Sequence, residues 1–225
     1  MESLSELEGY ALQLGSFTTK YNSRERLFAE GETAKGIYYV ADDHVKILKH
    51  HQKSTDVFLW YAGPKELIGL TSFFHGEETH AYSAIAGERG CKAIFFSNDT
   101  FAELIKHYPA LKPRLLSMLC KRIRFMEMRM NNMLYQSIDE RLMETLLFFA
   151  ERENRQETGK RQKSLPINYT IKEIAEMVGT SLSCLKRRIR ALKGQELINF
   201  DGNRLLINDV DKLKCMLHES SNCCS

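Results

Sequence analysis

Residues 170–193 read TIKEIAEMVGTSLSCLKRRIRALK, and this stretch decides the fold of the C-terminal part of the chain. Thr170 and Glu173 form a capping-box pattern, in which each side chain accepts a hydrogen bond from the backbone of the other at the start of a helix. Gly179 follows the apolar face of that helix and suits the left-handed backbone at which helices end. A second, basic helical stretch comes next. The pattern predicts two short helices joined by a sharp turn.

The residue types on these helices predict how they pack and what they contact. Ala175 is small enough for two helices to cross closely, and Leu185 is placed to lock the second helix against the first. Thr180 or Ser181 can cap the second helix. Its outer face would enter the major groove of DNA, with the N-terminal half toward base edges. The residues predicted to contact DNA in this stretch are Thr170, Thr180, Ser181, Leu182, Ser183, Lys186, Arg187 and Arg190.

Side-chain chemistry separates base contacts from phosphate contacts on the second helix. Arg187 has the guanidinium that grips guanine in a bidentate way, which is the commonest specific contact. Lys186, Arg188, Arg190 and Lys193 suit phosphate contacts, which position a protein on DNA without reading its sequence. A basic helix by itself is more often a solvated face. The prediction therefore depends on the cap, small residue, glycine turn, basic helix and following hairpin occurring in this order.

The segment after the second helix predicts a β-hairpin. Short apolar runs at Glu196–Phe200 and Arg204–Ile207 flank Asp201-Gly202, a dipeptide typical of two-residue hairpin turns. A hairpin directly after such a helix pair is the wing of a winged helix, and we predict that Asn203 and Arg204 meet a phosphate. Winged helices also serve as protein-binding modules, so a wing that binds protein is the alternative.

The first half of the chain reads as short strands separated by turn signals. The predicted strands are 20–28, 36–40, 45–50, 56–61, 81–86 and 92–96, with turns at Gly31, Asp42-Asp43, Gly63-Pro64, Gly76, Gly87 and Gly90. Many short strands at regular spacing favour an antiparallel roll or sandwich. A short helix over 98–107 is predicted to follow, carrying Phe101, Leu104 and Ile105.

A long helix is predicted from the spacing that begins at Leu115. Its apolar residues repeat at alternating steps of three and four, as in the seam of a two-stranded coiled coil. These seam residues are Leu116, Leu119, Ile123, Met126, Met130 and Met133. Either the helix packs on its own domain or two copies of the chain pair through it, and the regularity favours the homodimer. A second capping box over 137–140 then starts a further helix.

These patterns together predict an α+β fold in three parts. We expect an antiparallel β-roll over 1–110, a dimerisation helix over 111–136 and a winged helix-turn-helix over 137–225. The chain has 225 residues, of which 43% are hydrophobic, and this is enough for two modest domains with real cores.

Several protein classes are not expected. No apolar run reaches the length of a membrane span, and the acidic N-terminus lacks the features of a signal peptide, so we expect a cytoplasmic protein without a membrane partner. The six cysteines match no zinc or iron–sulfur spacing, and no metal site is predicted. The sequence assigns no role to Cys223 or Cys224. We find no nucleophile motif, phosphate loop or acid–base constellation and do not expect an enzyme.

The order of roll, long helix and winged helix-turn-helix resembles the CRP/FNR family (cAMP receptor protein / fumarate-nitrate reductase regulator) of transcription regulators. The resemblance covers about Thr18–Leu217. Gly31–Val40 is similar to the family's strand after a Gly-Glu turn, Ala62–Gly69 to the lead-in of its phosphate-binding cassette, and Thr170–Ile198 to its helix-turn-helix. It implies a bacterial homodimer with a cyclic-nucleotide-binding-like jelly roll. It also implies a two-fold symmetric site on double-stranded DNA and makes RNA polymerase a candidate partner.

The cassette departs from the family pattern. In members that bind cyclic nucleotides, a glutamate holds the ribose and an arginine holds the cyclic phosphate. Here the glutamate position falls on Leu70 and the arginine position on His80 or Ala81. Because a buried anion without a paired donor is costly, we predict that cAMP is not the effector. No cofactor is predicted. The candidate effector-pocket residues are Gly69, Leu70, Thr71, His80, Ala81 and Tyr82.

The recognition helix also departs from the family pattern. Members that read the common half-site carry Arg-Glu at its start and an arginine four residues after the glutamate. Leu182 and Ser183 stand at the first two positions, and only Arg187 is kept. We therefore expect a DNA site that differs in sequence while keeping two-fold symmetry. The alternative function is a sensory or interaction module whose winged helix binds protein. The sequence leaves open the effector, the target genes and the choice between activation and repression.

Overall fold

The structure is a computed structural model that describes residue 9 and residues 17–50, 56–154, 164–202 and 204–222. Three residues named above, Asn203, Cys223 and Cys224, lie outside these ranges. The chain forms two compact units, and the division between them falls between Met126 and Glu127. Among the described helices, none combines the length and the apolar character needed to cross a lipid bilayer.

The first unit consists of an antiparallel sheet followed by helices. Its strands are β1 (Thr18–Tyr21), β2 (Arg26–Phe28), β3 (Gly36–Lys49), β4 (Val57–Ala62), β5 (Leu67–Ile68) and β6 (Ser83–Ser97). Its helices are α1 (Leu70–His75), α2 (Asn98–His107) and the first part of α3 (Leu111–Tyr135). The strands run in the order β1–β6–β3–β4, with β2 paired to β6 and β5 paired to β3. The prediction of an antiparallel roll followed by a short and a long helix is confirmed.

The second unit begins with the C-terminal turns of α3. Its further helices are α4 (Ile138–Asn154), α5 (Ile171–Val178), α6 (Leu182–Gly194) and α7 (Val210–Asn222). Its strands are β7 (Leu165–Ile167), β8 (Ile198–Asp201) and β9 (Arg204–Ile207), which pair in the order β7–β9–β8. The two short helices and the hairpin are confirmed. Strand β7 and helix α7 complete this unit and were not predicted. The predicted boundary near Gln136 stays a prediction.

Strands β3 and β6 are longer than predicted. The prediction of turns at Asp42-Asp43, Gly87 and Gly90 is wrong, because these residues lie inside continuous strands. Asp43 and Gly90 have φ angles of 57° and 80°, and the pairing of β3 with β6 shifts register on either side of Asp43. A β-bulge inserts extra residues into one strand and bends it. The turn-forming residues therefore bend the two strands without ending them.

Apolar residues of strands and helices form one core cluster of the first unit. Phe101 and Leu104 of α2 are each 1% exposed and pack with Phe96 of β6. The Ser97 hydroxyl caps α2 by accepting a hydrogen bond from the backbone N–H of Thr100 at 3.1 Å. The predicted apolar face of this helix is therefore the face that the sheet buries.

An aromatic cluster fills a second part of the core. The indole of Trp60 lies edge-on to the ring of Tyr82, with centroids 5.2 Å apart. The guanidinium of Arg122, on α3, lies 4.6 Å from the centroid of the Trp60 ring and donates to the carbonyl oxygen of Leu67 at 3.3 Å. These contacts hold the first part of α3 against the sheet.

His80 is buried in the same region. Its ring stacks on Phe28 with centroids 3.8 Å apart, and the residue is 4% exposed. Among the described residues, the ring nitrogen Nδ1 has no hydrogen-bond partner. Loss of solvent lowers the pKa of His80 below its usual 6.5, because burial disfavours the charged imidazolium; the charge of Glu32 opposes this effect.

A lowered pKa at His80 makes the stability of the first unit depend on pH. Between the pKa of the folded state and 6.5, the unfolded chain binds more protons, so the free energy of unfolding falls as the pH drops through 6.5. His80→Phe keeps a ring against Phe28 and removes this titration. We expect the variant to reduce the slope of stability against pH by at most ~1.4 kcal/mol per pH unit.

Urea unfolding followed by fluorescence of Trp60, the one tryptophan of the chain, measures this slope. His75→Gln, a substitution at an exposed histidine of α1, is the matched control and should leave the slope as in the wild type. Equal slopes for His80→Phe and the wild type would show that His80 is not held neutral by the fold.

Candidate nucleic-acid interface

A capping box starts α5. The Thr170 hydroxyl accepts from the backbone N–H of Glu173 at 3.2 Å, and the Glu173 carboxylate accepts from the backbone N–H of Thr170 at 2.7 Å. The side chains of Ile174, Ala175 and Val178 on this helix are buried. The hydroxyl of Thr170 thus serves first to fix the start of α5, as the sequence predicted.

Gly179 forms the turn between α5 and α6. Its φ and ψ angles are 71° and 47°, the left-handed conformation that glycine adopts without steric cost, and its N–H donates to the carbonyl of Ala175. A Cβ atom at Gly179 would lie 2.7 Å from the terminal methyl of Met133. The left-handed backbone therefore favours glycine here, and a Cβ atom would in addition require the flexible end of Met133 to shift. Ser181 then caps α6 by accepting from the backbone N–H of Cys184 at 3.2 Å.

Helix α6 has a buried face and an exposed basic face. Leu185 and Ile189 are 0% and 4% exposed, and they hold the helix in the second unit. The predicted contact residues on the other face are all exposed: Leu182, Ser183, Lys186, Arg187 and Arg190. Because α6 contains no aspartate or glutamate, this face has an uncompensated positive charge along its own helix. Such a face suits the phosphate backbone, and contact with DNA stays a prediction for each residue.

Two of the basic residues of α6 are engaged with the protein. The guanidinium of Arg188 pairs with the carboxylate of Asp139 at the start of α4. The ammonium of Lys193 lies 5.6 Å from the ring centroid of Phe200 on β8. The structure thus gives Arg188 an intramolecular partner, and the phosphate contact suggested by the sequence stays a prediction.

The hairpin β8–β9 follows α6 directly. Its strands pair from Ile198 with Ile207 to Asp201 with Arg204, and Gly202 in the turn has a φ of 57°. Arg204 is exposed at the tip. The hairpin is confirmed, but the prediction of a turn at Asp201-Gly202 is wrong, because Asp201 ends β8 and pairs with Arg204. The exposed Arg204 is accessible for the phosphate contact predicted for the wing.

The candidate effector residues of the first unit occupy different environments. Gly69, with a φ of 88°, donates its N–H to the buried hydroxyl of Tyr82 at 3.1 Å. Leu70 is 1% exposed and packs in the apolar core. Thr71 is exposed and Ala81 is half-buried. The Gly69 N–H therefore already donates to Tyr82 within the protein. The assignment of these residues to an effector site stays a prediction.

Most of the predicted seam of α3 faces solvent. Leu116 is 63% exposed, Ile123 57% and Met130 64%, while Met126 and Met133 are 40% and 46% exposed. Leu119 is half-buried and packs against the core cluster of the first unit. The seam is thus an apolar stripe that the described residues of the chain leave largely exposed.

Arg129 and Arg141 were missed by sequence reasoning. Arg129 Nη2 donates to the carbonyl oxygen of Glu176 at 3.3 Å, and Arg141 Nε donates to the carbonyl oxygen of Val178 at 2.9 Å. Both acceptors belong to the C-terminal turn of α5. A backbone carbonyl carries no sequence signature, so no pattern could have paired these arginines with the helix-turn-helix.

Two family models match the chain. The cyclic nucleotide-binding domain matches residues 18–108, and the Crp-like helix-turn-helix domain matches residues 140–216. The cAMP-activated global transcriptional regulator CRP of Salmonella typhimurium is 26% identical over 189 residues, which cover 84% of this chain and 88% of that protein. The CRP-like cAMP-activated global transcriptional regulator of Mycobacterium tuberculosis is 26% identical over 188 residues, which cover 83% and 82%.

Solved structures share the fold. FixK2 from Bradyrhizobium japonicum superimposes with a TM-score of 0.74 at 17% identity, covering 88% of this chain and 96% of that chain. A mutant of CooA from Carboxydothermus hydrogenoformans gives a TM-score of 0.75 at 16% identity, covering 96% of each chain.

The order of the elements agrees with the order of the two matched domains. The sheet of the first unit lies in the first match, and α5, α6 and the hairpin lie in the second. The curated relatives are transcription regulators. The chain therefore belongs to the CRP/FNR family of DNA-binding transcription regulators.

Proposed function

We propose that this regulator binds a two-fold symmetric site on double-stranded DNA as a homodimer, and that cAMP is not its effector. The exposed basic face of α6 is the observation that carries DNA recognition. Its residues Lys186, Arg187 and Arg190 lie opposite the buried Leu185, so the helix can enter a groove without losing its packing. The regulator acts in the cytoplasm, with RNA polymerase as a candidate partner that the family suggests.

The exposed seam of α3 supports the homodimer. Leu116, Ile123 and Met130 are each more than half exposed, although soluble proteins rarely leave a continuous apolar stripe uncovered. The spacing of these residues is that of a helix that packs lengthwise on an identical helix. A parallel pair related by a two-fold axis presents two copies of α6 to one duplex and makes the site symmetric.

The side chains at the start of α6 support a DNA site whose sequence differs from the half-site common in the family. Arg187 supplies a guanidinium for a guanine contact. Leu182, which is 38% exposed, offers an apolar surface that suits a thymine methyl, and Ser183 can donate to or accept from either strand. These two residues replace the Arg-Glu pair of members that read the common half-site.

The chemistry of the cassette argues against cAMP. The curated relatives named above are cAMP-activated. This chain has Leu70 where a cyclic nucleotide would require a carboxylate, and His80 or Ala81 where it would require a guanidinium. Leu70 is part of the apolar core, and the neighbouring His80 is held neutral by burial. A cyclic phosphate placed here would lose its hydration without gaining a cationic partner.

Alanine substitutions on α6 test DNA recognition. We expect Arg187→Ala to weaken binding to the preferred site by about 1–3 kcal/mol and to relax the choice of base at one position of each half-site. Lys186→Ala should weaken binding to all sequences. It should also make the plot of log K against log salt less steep by about 1 per half-site, which corresponds to the loss of one phosphate contact. The preferred site is first selected from a pool of random duplexes. The affinity of each variant for that site is then measured by fluorescence anisotropy over a series of salt concentrations.

Lys214→Ala is the matched control, because it removes the same charge from an exposed position on α7. It should bind DNA as the wild type does. If duplex affinity is indifferent to salt and to both α6 substitutions, the winged helix does not bind DNA through α6, and a protein-binding wing becomes the better account.

Titration with cAMP tests the effector proposal. Because the cassette offers no cation to the cyclic phosphate, we expect no heat of binding in calorimetry at millimolar cAMP and no change in affinity for the selected site. A saturable heat together with a shift in DNA affinity would refute the proposal.

A further inference from the structure

We propose that Arg129, Arg141 and Arg188 are positioning residues that fix α5 and α6 on the corner between α3 and α4. We call these three residues the arginine clamp. All of them lie in the second unit and none belongs to the exposed face of α6 that is proposed to contact DNA. By fixing these helices, the arginine clamp sets the spacing between half-sites that the homodimer accepts. This role rests on the proposed function.

The corner between α3 and α4 is itself held by polar contacts. Glu144 of α4 accepts from Gln136 Nε2 at 2.7 Å and from the amide of Asn132, which is 8% exposed. Ser137 and Glu140 form the capping box of α4, with bonds of 2.7 Å and 3.3 Å. Because a buried polar group is costly to leave without a partner, the bond between Asn132 of α3 and Glu144 of α4 helps to fix the angle between the two helices.

Arg141 joins this corner to the end of α5. Its Nε donates to the carbonyl of Val178, the last residue of α5, at 2.9 Å, and its Nη1 donates to the carbonyl of Gln136 at 2.8 Å. The last carbonyls of a helix have no partner within the helix and carry partial negative charge. One guanidinium therefore joins the C-terminal end of α5 to the residue that directly follows α3, through charge-assisted hydrogen bonds.

Arg129 and Met133 make the second connection. Arg129 Nη2 donates to the carbonyl of Glu176 at 3.3 Å, and the terminal methyl of Met133 lies against Gly179. Met133 is at the same time a seam residue of α3. The helix that carries the seam thus contacts the turn before the recognition helix directly.

Arg188 makes the third connection, from α6 to the start of α4. Its partner Asp139 has a side chain that is 59% exposed, and exposed ion pairs add little to stability. The pair does, however, restrict the rotation of α6 about its own axis. Arg129 of α3 and Arg141 of α4 bind α5, and Arg188 of α6 binds α4. Both helices of the helix-turn-helix are therefore tied to the corner.

Fixed orientation matters for a symmetric site. Two recognition helices must enter grooves about one helical turn apart, roughly 34 Å, and both must be correctly oriented at once. If only a fraction of dimers holds this geometry, the apparent affinity for the full site falls by that fraction. A single half-site makes no such demand, so the ratio of full-site to half-site affinity measures the positioning.

The test compares wild type, Arg141→Met, Arg141→Lys and the control Arg124→Met, which removes a charge from an exposed position of α3. Each variant is titrated against three duplexes by anisotropy: the selected palindrome, the palindrome with one base pair inserted at its centre, and a single half-site. If Arg141→Met leaves about a tenth of dimers correctly oriented, the palindrome weakens about tenfold while the half-site is unchanged. The penalty for the inserted base pair should shrink. Arg141→Lys should recover part of the loss, and Arg124→Met should match the wild type.

A variant that is only less stable would lower the active fraction for all three duplexes equally and leave the ratios as in wild type, which would overturn the inference. If Arg141→Met does not fold, Arg129→Met replaces it in the test and leaves the Arg141 bonds in place. Arg129→Met should lower the ratio of palindrome affinity to half-site affinity in the same direction. A wild-type chain that prefers neither palindrome nor spacing contradicts the proposed symmetric binding. If the wild type and the variants all prefer the palindrome and its spacing to the same degree, the role of the arginine clamp is contradicted while symmetric binding stands.

Discussion

The exposed apolar stripe of α3 is the constraint on which the proposed action of this regulator depends. A stripe containing Ile123 and Met130, both more than half exposed, lies along a helix of 25 residues. Burying apolar surface is favourable by roughly 25 cal/mol per Å², so a second copy of the helix gains stability by covering it. In the proposed homodimer this contact also creates the two-fold axis. Methionine at several seam positions makes the packing adaptable, because its side chain is flexible and unbranched.

The same helix connects dimerisation with recognition. Its C-terminal turns belong to the compact unit that contains α5 and α6. Met133 contacts Gly179, and the arginine clamp holds α5 and α6 to the corner after α3. In this arrangement the contacts of Arg129, Arg141 and Arg188 and the glycine turn position the recognition helix, while Lys186, Arg187 and Arg190 on its exposed face take no part in the arginine clamp. Separating the two roles allows residues such as Leu182 and Ser183 to differ from the family pattern without loss of the fold.

Local signals made most of the second unit predictable. The capping boxes at Thr170 and Ser137, the left-handed Gly179 and the β8–β9 hairpin depend on neighbours close in sequence, and all of them are confirmed, although the hairpin turn begins one residue later than predicted. Turn propensity failed in the first unit because the β-bulges near Asp43 and Gly90 depend on pairing between distant strands. Strand β7 was missed because its three residues include a proline and gain their pairing only from β9.

The exposed residues of the candidate site could be predicted from the sequence, but the tertiary contacts that hold the surrounding residues in place could not. Helical spacing placed Lys186 and Arg187 on the face opposite Leu185, and the structure agrees. The burial of His80 against Phe28 and the pairing of Arg188 with Asp139 arise from tertiary contacts that no spacing reveals. Seam spacing identified the stripe on α3, but only the structure shows that most of its residues are exposed in the described part of the chain.

Sedimentation equilibrium of three proteins tests the central claim most directly: the wild type, Met130→Glu in the seam and Met128→Glu outside it. Both methionines are exposed in the single chain, at 64% and 41%, so a charge at either one costs the monomer little. The account predicts a dimer for wild type and Met128→Glu and a monomer for Met130→Glu, because a buried unpaired carboxylate is costly. A monomeric wild type, or a Met130→Glu dimer as stable as that of wild type, would contradict it.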